Sequence, residues 1–307
     1  MNNDFNKTGQ AMGKVPGASQ VTDMFKSSTN RGQWDCFHSS MVTFEENGQT
    51  YLFSHARNGK KIRLSLITTT GITKTLVDSK WNNYYNAMFT FVENGKKYLF
   101  AYSNEGNRWF ISELSHSWNG QDEVKSGRGW GKPYNTMITF CENGKNYIFA
   151  QSTDNSWFMS ELSTKWDDKY RTKEGKWARH YQILLPFIEN GKNYLFAHSE
   201  KDKRWFISEL STQWNGQNEI RCGNWARFYS CATTFTELGK YFAYFHSETD
   251  KRWFLQELST DKDSDKEMNN GTLDKFYNSI VEFKENKQHF VLEQSDSDNR
   301  FIIYRIF

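Results

Sequence analysis

From Trp34 to its end this chain of 307 residues consists of six copies of one unit about 48 residues long. A unit that short cannot bury a hydrophobic face alone, so the period dictates a repeat architecture before any single residue is weighed. Six phenylalanines that precede an acidic, glycine-containing turn mark the copies: Phe44, Phe91, Phe140, Phe187, Phe235 and Phe283, separated by 47, 49, 47, 48 and 48 residues. The units open at Trp34, Trp81, Trp130, Trp177, Trp225 and Leu273. This divides the chain into repeats at 34–80, 81–129, 130–176, 177–224, 225–272 and 273–307, preceded by a segment 1–33.

Each unit reads as strands. In Glu93-Asn94-Gly95-Lys96 and its counterparts at 142–145 and 189–192, the Asn-Gly pair supplies the two positive-φ positions of a tight hairpin. A third strand starts after a polar loop of the form Ser-x-x-Asp-x-Arg-Trp (199–205 and 247–253), where aromatic and aliphatic residues mix in a way that favours sheet. A fourth, weaker strand is expected at 72–77 and 218–222. Four-stranded units too short and too aromatic for amphipathic helices predict an all-β, six-bladed β-propeller, in which radial packing leaves only short sheet edges. The sixth copy stops after its third strand, and segment 1–33 has an apparent strand at 21–25. The N-terminal segment is therefore expected to complete the last blade of a single domain spanning 1–307. A solenoid is the rival architecture.

Hydrophobic residues make up 37% of the chain but aromatics make up 17%, so burial falls to Phe, Tyr and Trp. A net charge of +3, from 39 basic and 36 acidic residues without a basic tract, argues against a nucleic-acid partner held by phosphate neutralisation. No apolar run reaches membrane-spanning length, and no secretory or transit signal is legible at the N-terminus. No membrane insertion is expected, and the default compartment is the cytoplasm, with secretion left open. Cys36, Cys141, Cys222 and Cys231 occupy different columns of the repeat and form no CxxC, which predicts free thiols, no metal site and no cofactor.

Beyond the fold, three columns carry chemistry. Glu113, Glu161, Glu209 and Glu257 follow Trp109, Trp157, Trp205 and Trp253 by four residues, so acid and indole share one strand face. Arg108, Arg204 and Arg252 directly precede three of those tryptophans. A further polar column holds His55, Tyr102, Gln151, His198, His246 and Gln294, too mixed to be a metal ring. The acids can be inter-blade ion-pair anchors, or they can join Trp and Arg around inter-blade pockets. The opening residues Trp81, Trp130, Trp177 and Trp225 can pack blades or wall the same pockets.

In its six aromatic-rich blades, split last blade and recurring Trp, Glu and Arg, the sequence resembles the small β-propeller lectins of the fucose-binding and tectonin types. That resemblance implies a multivalent carbohydrate-binding protein with glycan partners. Its sites would be built from Arg108, Trp109, Glu113, Trp157, Glu161, Arg204, Trp205, Glu209, Arg252, Trp253 and Glu257 together with the opening tryptophans. The loops at 199–205 and 247–253 are also similar to the Asp-box hairpins of six-bladed sialidases, with the Asp one place later and the usual Gly missing. A glycosidase needs one special carboxylate pair, whereas this chain repeats one acid over four units. Repetition favours a non-catalytic binder, with no catalytic residues, over an enzyme. A protein-interaction scaffold and a sialidase-like hydrolase are the alternatives, since propellers serve many functions.

Overall fold

The structure is a computed structural model that describes residues 28–119, 122–167, 171–216, 218–262 and 267–306. Asn94 and Gly95 adopt φ of 51° and 77°, as do their counterparts in other units, which closes each hairpin with the twist its flanking strands need. Each copy contributes a sheet of four antiparallel strands, numbered here as blades 1 to 6. Blades 1 to 5 span 40–80, 87–128, 134–176, 183–224 and 231–272. Blade 6 takes its three inner strands from 279–305 and its outermost from Ser28–Gln33, which pairs antiparallel with Arg300–Arg305. The closing strand thus lies inside the predicted N-terminal segment. The strand expected at 21–25 lies outside the described residues.

Six aromatic clusters hold the ring, one between each pair of neighbouring blades. The last of them joins Leu52 and Ile67 of blade 1 to Phe283, Leu292 and Ile303 of blade 6, so first and last copies meet and the solenoid is excluded. Polar brackets repeat across the same interfaces. The acid of the hairpin turn, Glu-Asn-Gly in most copies and Glu-Asn-Lys in blade 6, reaches the next blade and accepts a backbone N–H there: Glu93 from Thr164 at 3.0 Å, Glu142 from Thr212 at 3.0 Å and Glu285 from Thr69 at 2.7 Å. Glu189 accepts the N–H of Thr260 at 3.0 Å and the hydroxyl of Ser259 at 2.5 Å. Burial alone would raise its pKa, but these donors and the charge of Arg221 outweigh that and lower it.

Candidate functional site at the propeller hub

The predicted site columns resolve into structural parts. Trp109, Trp157, Trp205 and Trp253 are buried. Each lies over a glycine of the outermost strand opposite it, namely Gly127, Gly175, Gly223 and Gly271. A Cβ on Gly127 would stand 2.6 Å from the Trp109 indole, so the ring occupies the space a side chain would need. The glycine eighteen residues after each of these tryptophans is a signal that a column-by-column reading of the third strand passes over.

The charged columns pair within their own blades. Glu113, Glu161, Glu209 and Glu257 take the hairpin lysines Lys96, Lys145, Lys192 and Lys240 at 2.9, 2.7, 3.4 and 2.9 Å. Arg108 and Arg252 turn to Glu123 and Glu267 on the outermost strand at 2.7 and 2.5 Å, and Arg204 pairs with Glu219 in the same way. Arginine and glutamate of one column therefore sit at opposite ends of the third strand, with a buried tryptophan next to the arginine. Glu209 and Lys192 are both well exposed, so Glu209→Gln is expected to change stability by about 0.5 kcal/mol or less in urea unfolding. A loss well above 1 kcal/mol would mean that this acid holds a buried partner.

The opening tryptophans wedge between blades. Trp81, Trp130, Trp177 and Trp225 meet Phe110, Phe158, Phe206 and Phe254 edge-to-face, with ring centroids 5.0 to 5.5 Å apart. Trp81 and Arg108 meet at a depression of about 150 Å³ that Tyr85 and Glu123 also line. The polar column on the second strand clamps the opening loop of the next unit. Gln151 accepts the N–H of Tyr181 and donates to the carbonyl of Arg179, both at 3.0 Å. Gln294 does the same with His38 and Cys36 at 2.8 Å, across the closure of the ring. Burial pushes His55 and His198 down to about 4, which leaves both rings neutral near pH 7. Among the described residues no group of three or more His, Cys, Asp or Glu is arranged to hold a metal ion.

What departs from the repeat gathers at the hub. A cavity of about 480 Å³ opens where the innermost strands meet, on the face that carries the Asn-Gly hairpins. The position before each marker phenylalanine holds Thr43, Thr90, Thr139, Pro186, Thr234 and Glu282, of which Thr43, Thr90, Thr234 and Glu282 line the cavity. A second column serves as cross-blade caps: Thr50, Asn146 and Asn193 donate at 2.8 Å to the carbonyls of Lys284, Val92 and Cys141, and Lys97 reaches the carbonyl of Glu45. In blade 6 that column holds His289 instead. Its imidazole contacts Glu282 at 2.5 Å through Nδ1 and Glu237 of blade 5 at 3.1 Å through Nε2. Glu237 stands at the bracket-acid position of blade 5, and here a histidine side chain engages it.

The rim of this face is two-sided. The position after each marker phenylalanine is exposed and apolar in blades 2 to 4, as Val92, Cys141 and Ile188, and polar or charged in blades 5, 6 and 1, as Thr236, Lys284 and Glu45. Leu238 is 73% exposed at the hairpin tip of blade 5, with φ of 50°, where five other copies place asparagine. A left-handed backbone disfavours leucine relative to asparagine, and nothing in the fold rewards its exposed side chain.

No protein-family model matches the chain, and no curated protein matches it. Solved structures do match, along 92% of its length. The chain is similar to BBS1N in complex with ARL6DN (TM-score 0.59, 7% identity, 96% of that chain covered). It is also similar to the β-propeller domain of Cps50 (Swd1) from Myceliophteria thermophila (0.59, 9%, 99% covered). A third match is Raptor from Chaetomium thermophilum (0.58, 10%, 29% covered). At such identities the likeness shows the fold, a six-bladed β-propeller. The resemblance to propeller lectins thus holds for the architecture alone.

The expectation of glycan partners is corrected. The indoles meant to stack on a sugar are inside the blades, their arginines and glutamates are paired and apart, and the similar propeller with a named partner, BBS1N, holds a protein. Among the described residues no helix is long and apolar enough to cross a membrane.

Proposed function

We propose that this protein is a non-catalytic β-propeller scaffold whose hairpin face binds a protein segment at the hub. The observation that carries the reading is the placement of Val92, Ile188 and Leu238. Five large hydrophobic residues are exposed among the described ones, and these three stand at the hairpin ends of blades 2, 4 and 5, Val92 in the lining of the hub cavity and Ile188 and Leu238 on the same face. Val124 and Ile220 are on outermost strands. Exposed apolar groups beside a polar rim suit protein docking, because the apolar part contributes burial and the rim supplies orientation. Glu237 and Glu282 support the non-catalytic part, since one imidazole engages both.

The test uses Leu238→Asn, the residue of the other copies, combined with Ile188→Lys, against Val124→Lys on the perimeter. The hub variant is expected to melt within a few degrees of the unsubstituted protein and to recover at least about tenfold less of a partner captured from the native extract, as losing a central contact does. The perimeter variant should recover it undiminished. Equal loss in both variants, or turnover of a chromogenic glycoside by the unsubstituted protein, would overturn the reading.

A further inference from the structure

The interface between blades 5 and 6 buries what the other five do not. Glu293, on the second strand of blade 6, has no solvent exposure; its column reads Ser54, Ala101, Ala150, Ala197 and Phe245 in the other copies. Facing it from blade 5 is His246, equally buried, with Nδ1 3.4 Å from Glu293 Oε1. At that geometry neither carboxylate oxygen and neither ring nitrogen has a hydrogen-bond partner. Tyr244 of blade 5 and Tyr304 of blade 6 point into the same region, but their hydroxyls meet each other at 2.5 Å. Burial first, and then the charge of Glu293, push both phenols well above their ordinary range. Cys231, buried on the innermost strand of blade 5, completes the cluster, its thiol pushed up by burial and by Glu293.

A buried acid whose neighbouring donors are a poorly aligned histidine and two phenols engaged with each other is poorly compensated for its lost hydration. Separating the two blades rehydrates the acid. The same movement breaks no strand-to-strand pairing, because Ser28–Gln33 stays zipped to Arg300–Arg305 inside blade 6. Among the polar contacts across this interface it gives up the His289–Glu237 bridge and the Tyr244–Tyr304 hydrogen bond. At the equivalent position of the interface between blades 2 and 3 the buried residue is Ala150, packed with Phe100 and Phe158; opening either interface exposes apolar surface, and only between blades 5 and 6 is a buried acid rehydrated in return.

We propose that the ring opens between blades 5 and 6, and that the buried Glu293–His246 cluster is the built-in weak joint. Cys231 reports the opening. Cys141 and Cys222 are exposed and mark the fast phase of thiol modification in the native protein. Cys231 should then react at least about tenfold faster than a cysteine placed by Ala150→Cys at the interface of blades 2 and 3, each rate being scaled to that of the same thiol in urea. Glu293→Met keeps the volume and removes the carboxylate, and it should slow Cys231 at least about tenfold, the scale on which replacing buried ion pairs stabilises proteins. Equal protection of Cys231 and the cysteine at position 150 would overturn the proposal even if the methionine variant failed to fold. An unchanged Cys231 rate in a folded Glu293→Met protein would overturn it as well.

Discussion

Deletion of residues 1–33 should lower the melting temperature by about 10 °C or drive the chain into aggregates. The strand Ser28–Gln33 covers the outer edge of Arg300–Arg305, and Gly32 lies so close to the Phe301 ring that a Cβ there would stand 2.5 Å from it. Removing it bares that edge and part of Phe301 and Ile303, both buried in the intact protein, a loss of about 3 kcal/mol by area. The measurement is thermal unfolding with light scattering, followed by addition of a peptide of residues 28–33, which should restore part of the lost stability. An unchanged transition in a monomeric truncated protein would show that the ring does not depend on this strand.

Trp109→Ala should cost about 3–5 kcal/mol in urea unfolding, the range for emptying a buried aromatic site. Trp109 is 1% exposed and meets the tilted ring of Trp166 at a centroid distance of 4.7 Å across the blade interface, so the cavity has walls on two blades and little freedom to collapse. The reciprocal change, Gly127→Ala, drives a methyl group into the indole and should cost about 1–3 kcal/mol. Joined in one protein, the two should be far less than additive, since each removes the need for the other. Full additivity, or a Trp109→Ala protein as stable as its parent, would place this column outside the core.

The site reading and the fold reading rest on different kinds of information. Six marker phenylalanines at near-constant spacing, with Asn-Gly turns beside them, carry the blade count, because backbone φ and strand alternation are local properties that a short run of residues expresses. The split blade was also legible, and more strongly than the strand at 21–25 suggests. Gly32-Gln33-Trp34 repeats the Gly-x-Trp that ends the fourth strand in Gly175-Lys176-Trp177 and Gly223-Asn224-Trp225. The glycine faces an aromatic ring of the third strand in all three places.

The role of the repeated Trp, Arg and Glu was not legible, because period two says which residues share a strand face but not whether that face is turned to a neighbouring blade or to water. Closure of the ring turned both faces of every sheet inward, which buried the tryptophans and left their charged neighbours to pair at the two ends of the strand. The hub was hidden for the opposite reason. Val92, Cys141 and Ile188 share a column with Thr236, Lys284 and Glu45 that reads as unpatterned along the chain, and Leu238 and His289 each look like a lone departure from the repeat. Local sequence thus determined the blades, their number and the segment that closes them, since hairpin geometry and side-chain alternation act over a few residues, while the closing strand itself, Ser28–Gln33, was placed by the structure. Only the tertiary structure decided where function can reside, because bringing the innermost strands around one axis is what gathers scattered exceptions onto one surface.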